Sequence, residues 1–327
     1  MPRPRSAKVS ELKVNLLTRI RQGYFRPGDR FLSNRALTER FGVSYQTAHR
    51  LISELCEEGW LERRAASGTY IAGKKQTLTG VQLLFNARAQ RTGSFGAQLL
   101  DRLKTRLERD NVECLVGFVR TKPVLRDDLF PVIWECKDVV VPDLGAGRYA
   151  LLLHDLAPPG IAGAFIDAVA TDDFSGGVCA AEVLRDRGHG SASVLAGPAG
   201  DVRSVRRVDG FRSVLPKGPT LWADGWFKEH GMAIVPRLLK NNPSAVFCCN
   251  DRLAEAVMQC CNDAGREPPY LIGFDNAPVA ESMNTSTIAI PWDEMIEAAA
   301  SVVRRRLRGD ASTSTCHILA PRPIIRR

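Results

Sequence analysis

The sequence predicts an α/β protein led by a small winged helix-turn-helix, and three observations support this. Two short helical patterns flank a tight break in RFLSNRALTERFGVSYQTAHRLISEL, Arg30 to Leu55, and the hairpin pattern WLERRAASGTYIAG follows. From about residue 80 onward, short apolar strands alternate with amphipathic helices, the pattern of parallel sheets covered on both faces. Charge is divided unevenly: residues 1–75 hold 15 Lys/Arg against 7 Asp/Glu, and the remaining residues hold 30 against 29. An excess so localised points to a polyanionic partner that meets this end of the chain.

Taken in order, Val9, Leu12, Leu16, Leu17 and Ile20 recur at helical spacing between Lys8 and Gly23, with Gly23 suited to the helix end. RPGDRF then reads as a turn. Ser33 is placed to cap a helix over Asn34–Phe41, and Gly42 permits the sharp turn that follows. Ser44 caps a second helix, Tyr45–Glu58, with Ala48, Leu51, Ile52 and Leu55 facing inward and Gly59 at its end. Two short strands around a Ser-Gly tip complete a wing. Beyond a linker containing Lys74 and Lys75, strands are expected at Gly80–Phe85, Val112–Phe118, Asp138–Val141, Ala164–Ile166, Ser193–Ala196, Ala245–Cys248, Tyr270–Gly273 and Thr287–Ile290. Helices are expected at Ser94–Asp110, Gly176–Arg187, Val208–Val214, Met232–Lys240, Arg252–Ala264 and Met295–Leu307. In such sheets ligands bind outside the carboxyl ends of the strands, so the loops there are the place to look.

Composition narrows the function classes. At 327 residues the chain has room for two or three domains. No run approaches a membrane span, and MPRPRSAKVSELK lacks the apolar core of a signal peptide, so a cytoplasmic protein without membrane contact is expected. Nine scattered cysteines, with no C-x-x-C pair, fit reduced, buried small hydrophobes rather than a zinc site or a disulfide framework. There is no nucleophile elbow, no G-x-x-x-x-G-K-[ST] loop and no His/Cys metal spacing, so no catalytic residue, cofactor or metal is expected.

Residues 8–73 resemble the DNA-binding domain of GntR-type bacterial regulators, because PGDR, the Ser-x-Arg at 33–35, FGVS, EEGWLERR and SGT match together. The resemblance implies that the helix starting near Ser44 enters the major groove of operator DNA while the wing approaches the minor groove. Arg35 would meet backbone or a base edge, Ser44 and Thr47 phosphates, and Gly68 the minor groove. Tyr45, Gln46, His49, Arg50 and Ser67 complete the expected DNA-facing set. Helix N-termini and hydroxyls suit phosphate oxygens, and Arg suits guanine or phosphate. Tyr45 and His49 stand where the pattern usually has Arg, Ala66 replaces a wing glycine, and the usual Pro-Ser-Glu-Arg reads Leu-Ser-Asn-Arg here. DNA binding is expected to survive these departures, but the usual operator sequence does not follow from them.

A second resemblance covers the rest, strongest from Val169 to Pro291. VATDDFSGGVCAAEVLRDRGHGSASVLAGP, RRVDGF, PSAVFCCNDRLAEAVMQCCNDAG, LIGFDNAP and STIAIP together look like the effector domain of LacI/GalR-type repressors. That implies the periplasmic-binding-protein type I fold, two Rossmann-like lobes with three crossovers, over residues 76–327 behind a winged helix at 1–75. One lobe would hold about 78–190 and 291–310, the other about 191–290 and 311–327. The segment Arg120–Ala168 diverges from the pattern. The family's ligand contacts carry over onto Arg207, Asn250, Asp275 and, more loosely, Asp173. Their forks, acceptor pairs and amide suit neighbouring hydroxyls of a polyol, with Phe95 and Trp292 placed to cover the apolar face of a sugar. His189 in RGHG reads as marking the turn after a helix.

Together the two resemblances imply a homodimeric transcriptional repressor controlled by a small effector, most simply a mono- or oligosaccharide held between two α/β lobes, as in arabinose-type repressors. LacI-type proteins use a hinge helix in the minor groove. AGKKQTLTG has no such pattern, so the short linker and wing are expected to carry the coupling. Two other readings fit less well: a ligand-independent DNA-binding dimer with a degenerate effector half, and a sugar-acting enzyme fused to a DNA-binding domain.

Overall fold

The computed structural model describes residues 7–21, 24–25, 28–65, 67–72, 78–144, 148–155, 165–310 and 312–326. Gly23, Ala66, the linker residues 73–77 and Ala164, all used in the sequence reading, lie outside the described residues. The chain forms two compact units, Met1–Ala170 with Met295–His317 and Thr171–Glu294 with Ile318–Arg327, and so passes between them three times.

In the first unit, helix α1 (Ala7–Arg21) buries Leu12, Leu16 and Ile20, one residue per turn. Helix α2 (Asn34–Phe41) starts where Ser33 Oγ accepts from Ala36 N at 3.1 Å and stops at Gly42, whose φ of 62° is the left-handed conformation its NH needs to reach Thr38 O. Helix α3 (Tyr45–Glu57) buries Ala48, Leu51, Ile52 and Leu55, each large aliphatic contributing about 1.5–3 kcal/mol by leaving water. The wing pairs β1 (Leu61–Arg64) with β2 (Gly68–Ile71), Leu61 opposite Ile71 and Arg64 opposite Gly68. PGDRF does more than turn. Gly28 N and Phe31 N donate to Ile71 O and Thr69 O, and Asp29 O accepts from Ile71 N, so this segment lies antiparallel along β2.

The same unit holds a six-stranded sheet of β3 (Gly80–Asn86), β4 (Glu113–Val119), β5 (Leu129–Trp134), β6 (Ala150–Leu153), β7 (Ile166–Thr171) and β13 (Cys316–Leu319), in the order β13-β7-β6-β5-β3-β4. The pairs among β3 to β7 are parallel. Here the structure corrects the sequence reading. Asp138–Val141 is not a strand: Lys137–Val140 forms the short helix α5, and the strand lies earlier, at β5. Pro131 sits inside that central strand, where a missing N–H normally argues against one. β6, four fully buried apolar residues, is also additional, and β7 starts where the expected Ala164–Ile166 strand would end. Helix α4 (Phe95–Arg109) and helix α11 (Trp292–Leu307) from Met295 onward complete this half.

In the second unit β8 (Ser193–Ala196), β9 (Thr220–Trp222), β10 (Ala245–Cys248), β11 (Tyr270–Asp275), β12 (Ser286–Ala289) and β14 (Arg322–Ile324) form a sheet in the order β14-β12-β11-β10-β8-β9. All pairs are parallel except β12–β14. Helices α6 (Asp173–Asp186), α7 (Val202–Val214), α8 (Lys228–Leu239), α9 (Asp251–Asp263) and the short α10 (Pro278–Ser282) follow the strands. The sequence reading placed residues up to 190 in the first lobe, whereas α6 falls in the second unit. Paired glycines explain why: a Cβ at Gly177 would stand 2.1 Å from Arg207 O, and one at Gly210 would stand 2.0 Å from Phe174 O. Only two bare backbones can approach this closely, so α6 is packed directly on α7.

Candidate functional sites

The first candidate site is the face shared by α3 and the wing. Ser44 Oγ accepts from Thr47 N at 3.1 Å, and the two hydroxyls lie 2.8 Å apart at the exposed start of α3. Tyr45 is 60 % exposed, and Gln46, His49 and Arg50 are exposed beside it, with Thr47 half-buried. An exposed helix N-terminus with outward side chains favours an anion. A cleft of about 360 Å³ opens between this helix and the wing. Of the predicted residues, Arg35, Tyr45, His49 and Gly68 line it; Ser44, Gln46, Thr47, Arg50 and Ser67 do not. Arg35 pairs with Glu39 at 2.9 Å, Arg50 stands 3.8 Å from Glu54, and Ser67 Oγ lies 2.5 Å from Tyr70 OH. Arg30, Asn34 and Arg63 also line the cleft and were not singled out from the sequence. The antiparallel pairing of residues 28–31 with β2 is what brings Arg30 there, and a turn pattern does not reveal such pairing.

The second candidate site lies at the carboxyl edge of the second unit's parallel strands, around Arg207. This side chain is 3 % exposed. Its Nε donates to Asp173 Oδ1 at 2.7 Å, and its Nη1 donates to Cys249 O at 2.6 Å and to Asp275 Oδ1 at 3.3 Å. Its guanidinium carbon lies 3.7 Å from the Phe274 ring centroid and 5.6 Å from that of Trp226. Nη2 and the second Asp275 oxygen have no hydrogen-bond partner among the described residues. Asp275 has φ 96° and its neighbour Asn276 φ 53°, consecutive left-handed residues at a strand end, a costly conformation that clusters at functional sites. Asp251, 1 % exposed, braces this turn by accepting from Ala277 N at 2.6 Å and from Thr287 Oγ1 at 2.7 Å.

Burial pushes the Asp275 carboxyl up to about 6, and Asp173 adds to the rise against the pull of Arg207. Burial draws Arg207 down, but Asp173 and Asp275 together outweigh it and leave the guanidinium above its ordinary value. Asp251 is raised well above a normal carboxyl by burial and then by Asp275.

Asn250 is close by, but both ends of its amide are used. Oδ1 accepts from Leu253 N at 2.8 Å as the cap of α9, and Nδ2 donates to Trp226 O at 2.8 Å. Trp226 itself was not predicted. Its ring lies on Gly197, where a Cβ would come within 2.7 Å, and its Nε1 donates to Asp201 Oδ2 at 3.0 Å. Asp201 caps α7 and receives both arms of the Arg203 fork at 3.0 and 2.7 Å. Burial would raise Asp201, but this fork and the indole hold it below the carboxylate range. Gly197 ends a strand and so leaves room for a ring, which is a signal for Trp226, though a weak one.

Phe95 belongs to the first unit, where it opens α4 above the strand ends and packs on His154 at 4.5 Å and Trp134 at 6.4 Å. Trp134 Nε1 is buried without a partner among the described residues. Trp292 is the half-buried first residue of α11. His189 follows α6 and is braced by Ser244 Oγ at 3.1 Å.

Residues 8–71 match the model of bacterial regulatory proteins of the gntR family, and residues 181–327 match that of periplasmic binding protein-like domains. The chain thus joins a winged helix-turn-helix to an α/β ligand-binding fold. More particularly, its N-terminal part matches the gntR family of regulators and its C-terminal part a periplasmic binding protein-like domain. It is 31 % identical over 173 residues to the HTH-type transcriptional regulator DegA of Bacillus subtilis, covering 49 % of this chain and 51 % of that one. It is 24 % identical to the ribose operon repressor of Haemophilus influenzae over 49 % and 52 % of the two chains. To the HTH-type transcriptional repressor PurR of Histophilus somni it is 30 % identical over 34 % and 36 %. The chain thus matches about half or less of the length of these curated relatives. Among solved structures, a transcriptional regulator CelR–cellobiose complex superposes with a TM-score of 0.68 at 19 % identity, covering 87 % of this chain and 91 % of that one. A ribose-bound LacI family regulator from Enterococcus faecalis superposes with a TM-score of 0.62 at 21 % identity, over 75 % and 97 %. No helix among the described residues is long and apolar enough to cross a membrane.

Proposed function

We propose that this chain is a cytoplasmic, homodimeric transcriptional repressor whose affinity for operator DNA is set by an uncharged sugar bound at the Arg207 cluster. One observation carries the ligand half of the reading. A buried guanidinium keeps Nη2 unengaged beside an unengaged Asp275 oxygen and the face of Trp226. A donor fork and an acceptor side by side meet two neighbouring hydroxyls, and the ring covers a sugar's apolar face. Two cations (Arg203, Arg207) stand among three carboxyls (Asp173, Asp201, Asp275), so the cluster has no surplus positive charge for a phosphate or carboxylate ligand. The similarity to a ribose operon repressor and to ribose- and cellobiose-bound regulators supports the same class. In this reading Arg207 and Asp275 hold hydroxyls, Asp173 and Asn250 hold the site in shape, Trp226 supplies apolar cover, and the α3–wing face meets DNA.

A thermal-shift screen against pentoses, hexoses, disaccharides and their phosphates tests the proposal, with Asp275→Ala run in parallel. A neutral sugar is expected to raise the wild-type midpoint and not the variant's. A shift from sugar phosphates alone would overturn the assignment.

A further inference from the structure

We infer that Arg30 is a phosphate-contacting residue of the DNA interface, a role that rests on the DNA-binding reading above. Among the described residues, the cleft between α3 and the wing is lined by three guanidinium groups, those of Arg30, Arg35 and Arg63, and by no carboxylate. Position 34, where the GntR pattern has Glu, is the neutral Asn34, and its buried Oδ1 has no partner among the described residues. Two of the three cations are already engaged: Arg35 with Glu39 at 2.9 Å, and Arg63 with Ser53 Oγ at 2.7 Å. Arg30 is exposed and has no hydrogen-bond or ion-pair partner among the described residues.

Arg30 is nonetheless held in place. The hydrogen bonds of residues 28–31 to β2 fix its backbone, and its side chain lies across Gly68, where a Cβ would stand 3.2 Å from Nε and 3.4 Å from Nη2. Gly68 has φ 123°, so any other residue there would strain the wing tip and displace Arg30 together. An unpaired guanidinium in a cleft whose charged lining residues, among those described, are all arginines suits a phosphodiester oxygen, which positions DNA without reading its sequence. Free inorganic phosphate shares that chemistry, and the test separates the two.

Binding of the full chain to a random-sequence duplex of about 30 base pairs is followed by fluorescence anisotropy over a KCl series. Arg30→Gln is expected to weaken binding several-fold at low salt and to reduce the slope of log K against log[salt] by about 0.9 per engaged protomer. Arg30→Lys should keep the slope, and Gly68→Ala should lower it. Arg40→Gln, which removes an exposed α2 cation outside the cleft, should leave it unchanged. A wild-type slope in Arg30→Gln would overturn the inference, as would an equal loss in Arg40→Gln. So would inorganic phosphate that binds wild type but not Arg30→Gln while leaving duplex affinity, at matched ionic strength, unchanged. A wild-type chain that binds no duplex at all would instead refute the DNA-binding reading.

Discussion

Asp275→Asn should stabilise the unliganded protein while removing its response to sugar. The side chain is 15 % exposed, and burial beside Asp173 lifts its carboxyl from 3.8 to about 6 despite the contact with Arg207. The folded protein therefore holds this proton more tightly than the unfolded chain does. Its contribution to stability is full below about pH 4 and is lost as pH rises through about 6, because the folded state must then carry a buried anion. A displacement of this size corresponds to about 3 kcal/mol. Asparagine keeps the shape, retains an acceptor for Arg207 and tolerates the left-handed backbone, but never ionises. Chemical denaturation of the transition assigned to the second unit should show the variant more stable by about 1–3 kcal/mol at about pH 7.5, with the difference closing towards about pH 4. A variant less stable than wild type at neutral pH, or a gain independent of pH, would refute the electrostatic reasoning.

Three further outcomes follow from the packing. Asp167 is fully buried and accepts from both Arg305 and Arg306, so Asp167→Ala, which leaves Arg306 charged and buried, should cost about 3–5 kcal/mol in the first unit's unfolding transition. Gly210→Ala drives a methyl against Phe174 O and forces α6 from α7, a loss of about 1–3 kcal/mol or more that denaturant midpoints would register. Trp226→Ala should weaken sugar binding about tenfold by calorimetry, since the indole supplies the stacking face; unchanged affinity would move the ligand off that wall.

What was legible in the sequence was local or continuous along the chain. Ser33, Gly42 and Ser44 act through neighbours within four residues, and the two helices they bound matched the expected ones to within a residue. β8, β10 and β11 are buried apolar runs in a parallel sheet, and such runs announce themselves. β5 was hidden by Pro131, and α6 was misassigned because the glycines that tie it to α7 meet only in three dimensions. Resemblance pointed to Arg207, Asp173 and Asp275, and these three side chains do touch. Trp226 had no comparable signal, and Arg30 stood only as the last residue of the PGDR motif, with nothing to mark its side chain as facing the cleft. One reaches the Arg207 cluster from a loop beyond β9, and the other reaches the cleft through hydrogen bonds from residues 28–31 to a strand far along the chain.

The measurement closest to the central claim is duplex affinity with and without saturating sugar. It would use a genomic fragment selected by the protein itself and a sugar identified by thermal shift. At least a fivefold change in affinity is expected, about 1 kcal/mol of coupling, with DNA altering sugar affinity by the same factor. Equal DNA affinity in the presence and absence of bound sugar would contradict it.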